Sequence, residues 1–131
     1  MLVVPVRAHF ILYVRDQGAS AAFYTAALGA PPTLHVPGMT EFALGDGAVL
    51  GLMPEEGIRR LLQGRVDPGA ASGASRAELY LIVHDPGAAH ARALAAGARE
   101  LSPLAPRGWG DVVAYALDPD GHVLAFAGRG P

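Results

Sequence analysis

The stretch AELYLIVHDPGAAHARALAAG, residues 77–97, rewrites an earlier one, AHFILYVRDQGASAAFYTAAL, residues 8–28. With His9 to Ala27 laid over Glu78 to Ala96 at an offset of 69, eight of the 19 pairs are identical. The Ala pairs owe something to an Ala-rich composition, but Leu12/Leu81, Val14/Val83, Asp16/Asp85 and Gly18/Gly87 do not. A second match follows in the same order: Phe42-Ala43-Leu44 over Tyr115-Ala116-Leu117, then DGAVLGLM from Asp46 over DGHVLAFA from Asp120. Such fixed-offset identity is the mark of an internal duplication.

Each copy reads as strand, helix and three strands. HFILYV and ELYLIV are rich in large and β-branched residues and run into Asp and Gly, a turn signal. GASAAFYTAAL and PGAAHARALAAG are the helices, with Pro86 suited to a helix start and Gly97 to a helix end. PTLHV, MTEFALG and AVLGLMP complete the first copy as strands, and RELSPLA, VVAYAL and HVLAFAG the second. LGDG and LDPDG are tight turns. The expected fold class is therefore α+β, two βαβββ modules in a pseudo-twofold repeat. The first module covers 7–54, a linker 55–75, and the second module 76–129. Ile58, Leu61 and Leu62 give the linker a short amphipathic helical turn, and Asp67 to Ser75 has flexible-linker composition.

The 131 residues carry 51% apolar and 17% charged residues with a formal net charge of −2, which describes one globular domain with no basic face for nucleic acid. A chain of this size loses about two-thirds of its surface on folding. Basic residues are all Arg, with no Lys and no Asn, a coding bias without functional meaning. With no Cys, neither a disulfide framework nor a thiolate site is available. The N-terminal MLVVPVRAHF lacks a basic n-region and is broken by Pro5, Arg7 and His9, so no signal peptide is expected. No run reaches the roughly twenty apolar residues of a membrane helix. The expectation is a cytoplasmic protein.

Strand alternation sorts side chains by face. Phe10, Leu12 and Val14 share one face with Leu79, Leu81 and Val83 of the copy, where helices should cover them. His9, Ile11 and Tyr13 share the other, with Glu78, Tyr80 and Ile82 as counterparts. Opposite the core-facing Leu50, Leu52, Leu124 and Phe126 lie Val49, Gly51, Met53 and Val123, Ala125, Ala127. If the two sheets curl toward each other these second faces enclose an open, mainly apolar cleft, with His9 and Glu78 as its polar groups.

On these residues the chain resembles the vicinal oxygen chelate superfamily, the glyoxalase, bleomycin-resistance and extradiol-dioxygenase group. The resemblance rests on HFILYVRDQGASAAFYTAALG, on GWGDVVAYALDPDGHVLAF and on the repeat, and spans nearly the whole chain. It implies paired βαβββ modules around a cleft, usually completed in a homodimer. Metal-using members take one ligand from the first and last strand of each half, which here are His9, Gly51, Glu78 and Ala125. Gly51 and Ala125 have no donor atom, and a catalytic divalent ion normally needs three or four protein ligands. His35, His84, His90 and His122 read as solvated or capping residues.

The pattern is closest to the metal-free, bleomycin-resistance-like branch, in which a small organic molecule is bound in the cleft, in some cases an antibiotic that is sequestered. His9, Ile11, Tyr13, Met53, Glu78, Tyr80 and Trp109 are the candidate ligand-binding residues, and no cofactor is expected. Tyr13, Tyr80 and Trp109 offer flat faces to a planar or cationic ligand; Trp109 could equally close the end of a sheet, and Met53 could be plain core. His9 and Glu78 could meet as a ligand anchor, as a metal-free acid and base, or as the structural remnant of a lost metal site. The alternative is a glyoxalase-like lyase or isomerase, or a dioxygenase relative, with Ni, Zn, Mn or Fe in an incomplete or dimer-completed site. A third possibility, a non-catalytic scaffold, would follow from a cleft filled by its own side chains.

Overall fold

The computed structural model describes residues 4–130; the first three residues of the N-terminal stretch read above lie outside them. Eight strands and three helices follow in the order β1 Ala8–Val14, α1 Gln17–Leu28, β2 Leu34–Val36, β3 Met39–Ala43, β4 Ala48–Pro54, α2 Glu55–Leu61, β5 Glu78–Ile82, α3 Pro86–Ala95, β6 Arg99–Pro106, β7 Asp111–Leu117 and β8 Val123–Arg129, with a 3₁₀ turn at Pro68–Ala70. The strands form two four-stranded mixed sheets of the same order, β1-β4-β3-β2 and β5-β8-β7-β6. In each, the first strand pairs parallel with the last, and the remaining neighbours are antiparallel. Neither sheet closes on itself. This is the α+β repeat expected from the sequence.

The conserved letters of the duplication have a local cause. Asp16 and Asp85 are helix N-caps: their carboxylates accept from Ala19 N at 2.9 Å and Ala88 N at 3.0 Å, satisfying backbone donors that the first turn leaves free. Gly18 and Gly87 stand two residues on, where an added Cβ would come 3.6 Å from the capping oxygen in both copies. Pro86 occupies the first turn of α3, and Gly97 follows that helix at φ 117°, a conformation that favours glycine. In α2, Glu55 and Glu56 open the helix and Arg59 and Arg60 close it, each sign complementing the helix dipole.

Packing divides the chain into two compact units: residues up to Ala22 with Ala30–Ser72, and Phe23–Gly29 with everything from Gly73 onward. The boundary runs through α1. Its second half is tied into the second unit by Tyr24, which is fully buried, donates to Asp118 Oδ2 at 2.6 Å and meets Phe23 edge-on at 4.9 Å between ring centroids. Asp118 in turn accepts from Asp120 N and His122 N, fixing the turn between β7 and β8.

In the second unit α3 packs on β6, β7 and β8, covering the face that carries Leu124, Phe126, Ala114 and Ala116, all buried. His90 of α3 is buried there too, with Nε2 2.8 Å from Glu100 Oε2; it is a packed partner of a carboxylate, where a solvated or capping histidine was expected. In the first unit Val14, Phe42, Leu50 and Leu52 are buried, whereas Phe10 is 56% exposed. Phe10 thus departs from the expectation that a helix covers it: it stands near the start of an edge strand.

Candidate functional site

In the first sheet, register places His9, Ile11 and Tyr13 beside Val49, Gly51 and Met53, and places Ala43 and Glu41 of β3 beside Val49 and Gly51. All share one face, as alternation requires. Glu41 reaches past side-chain-less Gly51 to His9, with Nδ1 and Oε2 3.4 Å apart and both side chains partly exposed. The gap over Gly51 is filled: a Cβ there would overlap Ile11 Cδ1 and lie 3.2 Å from Met39 Sδ. His9, Ile11, Tyr13 and Met53 therefore stand together, and the polar partner His9 finds within its own sheet is Glu41.

The second sheet carries a more elaborate arrangement on the face away from α3. Register aligns Tyr115, Ala125 and Tyr80 in one row, and Val113, Ala127 and Ile82 in the next. Val113, Ala125 and Ala127 are buried, and the partly buried rings of Tyr80 and Tyr115 pack against them. The small side chains make a floor on which two aromatic rings can lie. The Tyr80 hydroxyl accepts from Trp109 Nε1 at 2.9 Å and donates to Asp111 Oδ2 at 2.5 Å, and Arg129 Nη1 donates to Asp111 Oδ1 at 2.8 Å. A chain of hydrogen bonds thus runs Trp109–Tyr80–Asp111–Arg129. Trp109 itself is 60% exposed. Glu78 begins β5 beside Val123 and is exposed.

Protonation follows from this chain. The Tyr80 hydroxyl holds the Asp111 carboxyl below its usual range; burial opposes the shift and the Arg129 guanidinium adds to it. Loss of solvent, then the bond to Asp111, raises the Tyr80 phenol, while the Trp109 N–H works against the rise. A neutral phenol beside an anionic carboxylate is the stable state at neutral pH.

Arg107 completes the face. Its Nη2 donates to Ser102 Oγ at 2.7 Å and to Val113 O at 2.9 Å, and its guanidinium stands 5.1 Å from the centre of the Tyr115 ring, a cation–π distance. Ser102 is within reach because β6 is irregular. Its pairing shifts register between Glu100 and Ser102 and again before Ala105, so Ser102 pairs with Tyr115 and turns to the aromatic face. Pro103, which cannot donate to a ladder, sits in the irregular stretch.

The residues missed by sequence reasoning are Glu41, Arg107, Asp111, Tyr115 and Arg129. Alternation along VVAYAL, applied to β7 as it was to the outer strands, puts Asp111, Val113 and Tyr115 on the face of Ala125. The bulge that recruits Ser102 to Arg107 has no such signal.

The donor set does not fit a catalytic metal. Gly51 and Ala125 contribute no donor; Ile11 and Met39 fill the space over Gly51, and Ala125 is buried between Tyr80 and Tyr115. Among the described residues no three of His, Asp or Glu come together as ligands. A cavity of about 560 Å³ lies at the start of α3, lined by Ile82, His84, Pro86, Leu104, Gly128 and Arg129 among others. The Asp85 carboxylate caps that helix start.

Two βαβββ modules, each with a four-stranded mixed sheet of the same strand order, define the fold class. A family model described as the Glyoxalase/Bleomycin resistance protein/Dioxygenase superfamily matches residues 7–126, and the chain belongs to that superfamily. Among solved structures it is similar to a glyoxalase-related enzyme from Fulvimarina pelagi, at 26% identity over 93% of this chain and 86% of that one, with a TM-score of 0.80. It is also similar to a protein from Agrobacterium tumefaciens, at 28% identity over 99% and 100% of the two chains, TM-score 0.73. A glyoxalase/bleomycin resistance protein/dioxygenase family enzyme from Burkholderia phytofirmans shares the fold, at 20% identity over 92% and 96%, TM-score 0.79. No curated protein matches the sequence. No helix among the described residues is long and apolar enough to cross a membrane.

Proposed function

We propose that the chain binds a small apolar or aromatic organic molecule against the Tyr80, Tyr115 and Trp109 face, without a catalytic metal, and acts as a cytoplasmic homodimer. Sequestration of an antibiotic is the specific form this function takes. One observation carries the reading: Trp109, mostly exposed, has its indole N–H anchored on Tyr80 beside a floor of small residues. Exposed tryptophan is costly to leave in water, and fixing its ring in advance lowers the entropy lost when a flat ligand stacks on it. His9, Ile11, Tyr13 and Met53, on one face of the first sheet, are a separate candidate set, and Glu78 stands at the start of β5.

The test is calorimetric titration of chelator-treated protein with a panel of planar antibiotics and simple arenes. Binding that chelators leave unchanged and that Trp109→Ala weakens about tenfold or more supports the reading, since buried aromatic anchors commonly account for that much. Affinity indifferent to Trp109→Ala removes the face from the site. The enzyme alternative, a metal-dependent lyase, isomerase or dioxygenase, predicts stoichiometric uptake of Ni, Zn, Mn or Fe that His9→Ala abolishes. Elemental analysis after dialysis decides between the two.

A further inference from the structure

Among the described residues no carboxylate pairs with Arg107. Every acceptor of its Nη2 is neutral: Ser102 Oγ at 2.7 Å, Val113 O at 2.9 Å and Pro103 O at 3.3 Å. Its Nε is shielded from solvent and has no acceptor. Arg129 and Arg59, by contrast, each pair with a carboxylate, Asp111 and Glu56, at 2.8 and 2.9 Å. A half-buried guanidinium without a counter-ion is unfavourable, and an unsatisfied buried donor in a native fold calls for an explanation. The three neutral acceptors and the Tyr115 ring do not cancel the charge. They fix its plane.

We infer that Arg107 is the anion-binding residue of this face and that the ligand is an arene carrying a single carboxylate. The inference rests on the aromatic-face reading above and narrows it to a ligand class. Arg107 and Trp109 lie on one short turn, closed by Arg107 N to Asp111 O at 2.8 Å and Gly110 N to Arg107 O at 3.2 Å. A ring stacked on Trp109 or Tyr80 therefore has the guanidinium within the span of a small molecule. With Nη2 engaged and Nε shielded, Nη1 is the donor that meets a carboxylate oxygen, in a charge-assisted hydrogen bond. The charge balance selects a monoanion: Asp111 is already compensated by Arg129 and by the Tyr80 hydroxyl, which leaves one net positive charge at this end of the face. A dianion would leave a negative charge beside Asp111.

Calorimetry of the full chain with three matched probes, 2-naphthoate, 2-naphthamide and 2-naphthylmethylammonium, tests the assignment. The carboxylate is expected to bind at least about tenfold tighter than the amide, the scale of a charge-assisted hydrogen bond, and Arg107→Gln is expected to bring the two within about twofold. Arg107→Lys keeps the charge without the planar group that Ser102 and Val113 hold in place and is expected to show an intermediate preference; it serves in place of the glutamine variant should that one not fold. Equal binding of all three probes by the native protein overturns the anion assignment while leaving the aromatic face as the binding surface. A carboxylate preference that survives Arg107→Gln overturns the role of Arg107. Absence of binding by any probe overturns both readings.

Discussion

At the scale of single residues, two tyrosine–aspartate pairs anchor the second unit. Tyr24 lies in the core of the second unit with its hydroxyl on Asp118. Burial, then the Asp118 charge and hydrogen bond, with Asp120 behind them, pushes its phenol well above the usual tyrosine range. Tyr24→Phe leaves Asp118 Oδ2 without its donor and should cost about 1–3 kcal/mol in denaturant unfolding. Because the folded value lies above the unfolded one, the stability Tyr24 contributes is fully present below about pH 10 and is lost as pH rises through the folded value. Absorbance of tyrosinate should therefore show Tyr24 ionising only as the protein unfolds, and Tyr24→Phe should flatten the alkaline loss of stability. At Asp111 the sign is reversed. Its depressed value contributes stability above about pH 4 that disappears as pH falls through the folded value, so Asp111→Asn should flatten the acid limb of a stability profile and leave the alkaline limb alone. The first pair is not legible in the sequence, whereas alternation along β7 puts Asp111 on the Tyr80 face. Tyr24 and Asp118 are 94 residues apart, and nothing in either local pattern points to the other.

Strands and helices were far more legible. Asp16 and Asp85, Gly18 and Gly87, and the alternation of HFILYV and ELYLIV announce both copies of the strand–helix unit, and all eight strands fall where turn residues bound them. What the pattern does not contain is the place where packing divides the chain. Repeat logic assigns α1 whole to the first module, yet its second half packs with the second unit, because Tyr24 finds its partner there. A fragment beginning at Gly73 should accordingly fail to give the cooperative unfolding transition of the full chain, its Asp118 being left without Tyr24; circular dichroism against denaturant would show it. Gly51 makes a similar point about β4. Its lack of a donor atom is plain in the sequence, but the occupation of that space by Ile11 and Met39 is not. Gly51→Ala must displace Ile11 Cδ1, the far end of a flexible side chain, and should destabilise by about 1 kcal/mol, seen as a lower denaturant midpoint at unchanged slope.

For the molecule as a whole, the duplication carries the fold and the superfamily, while the chemistry of the aromatic face depends on tertiary detail. Trp109 and Tyr80 were visible as candidates and alternation along β7 adds Asp111; Arg107 and Ser102 join them only through the turn before β7 and the bulge in β6. The central claim is that this face of the second sheet, free of metal, is where a ligand binds. The most direct measurement is a backbone and side-chain NMR titration of chelator-treated protein with planar arenes. Shifts concentrated on the Trp109 indole N–H, Tyr80, Tyr115, Val113 and Ala127, unchanged by added nickel or zinc, are the predicted result. Shifts that appear only after metal is added, or that gather elsewhere while these five stay still, would contradict the account.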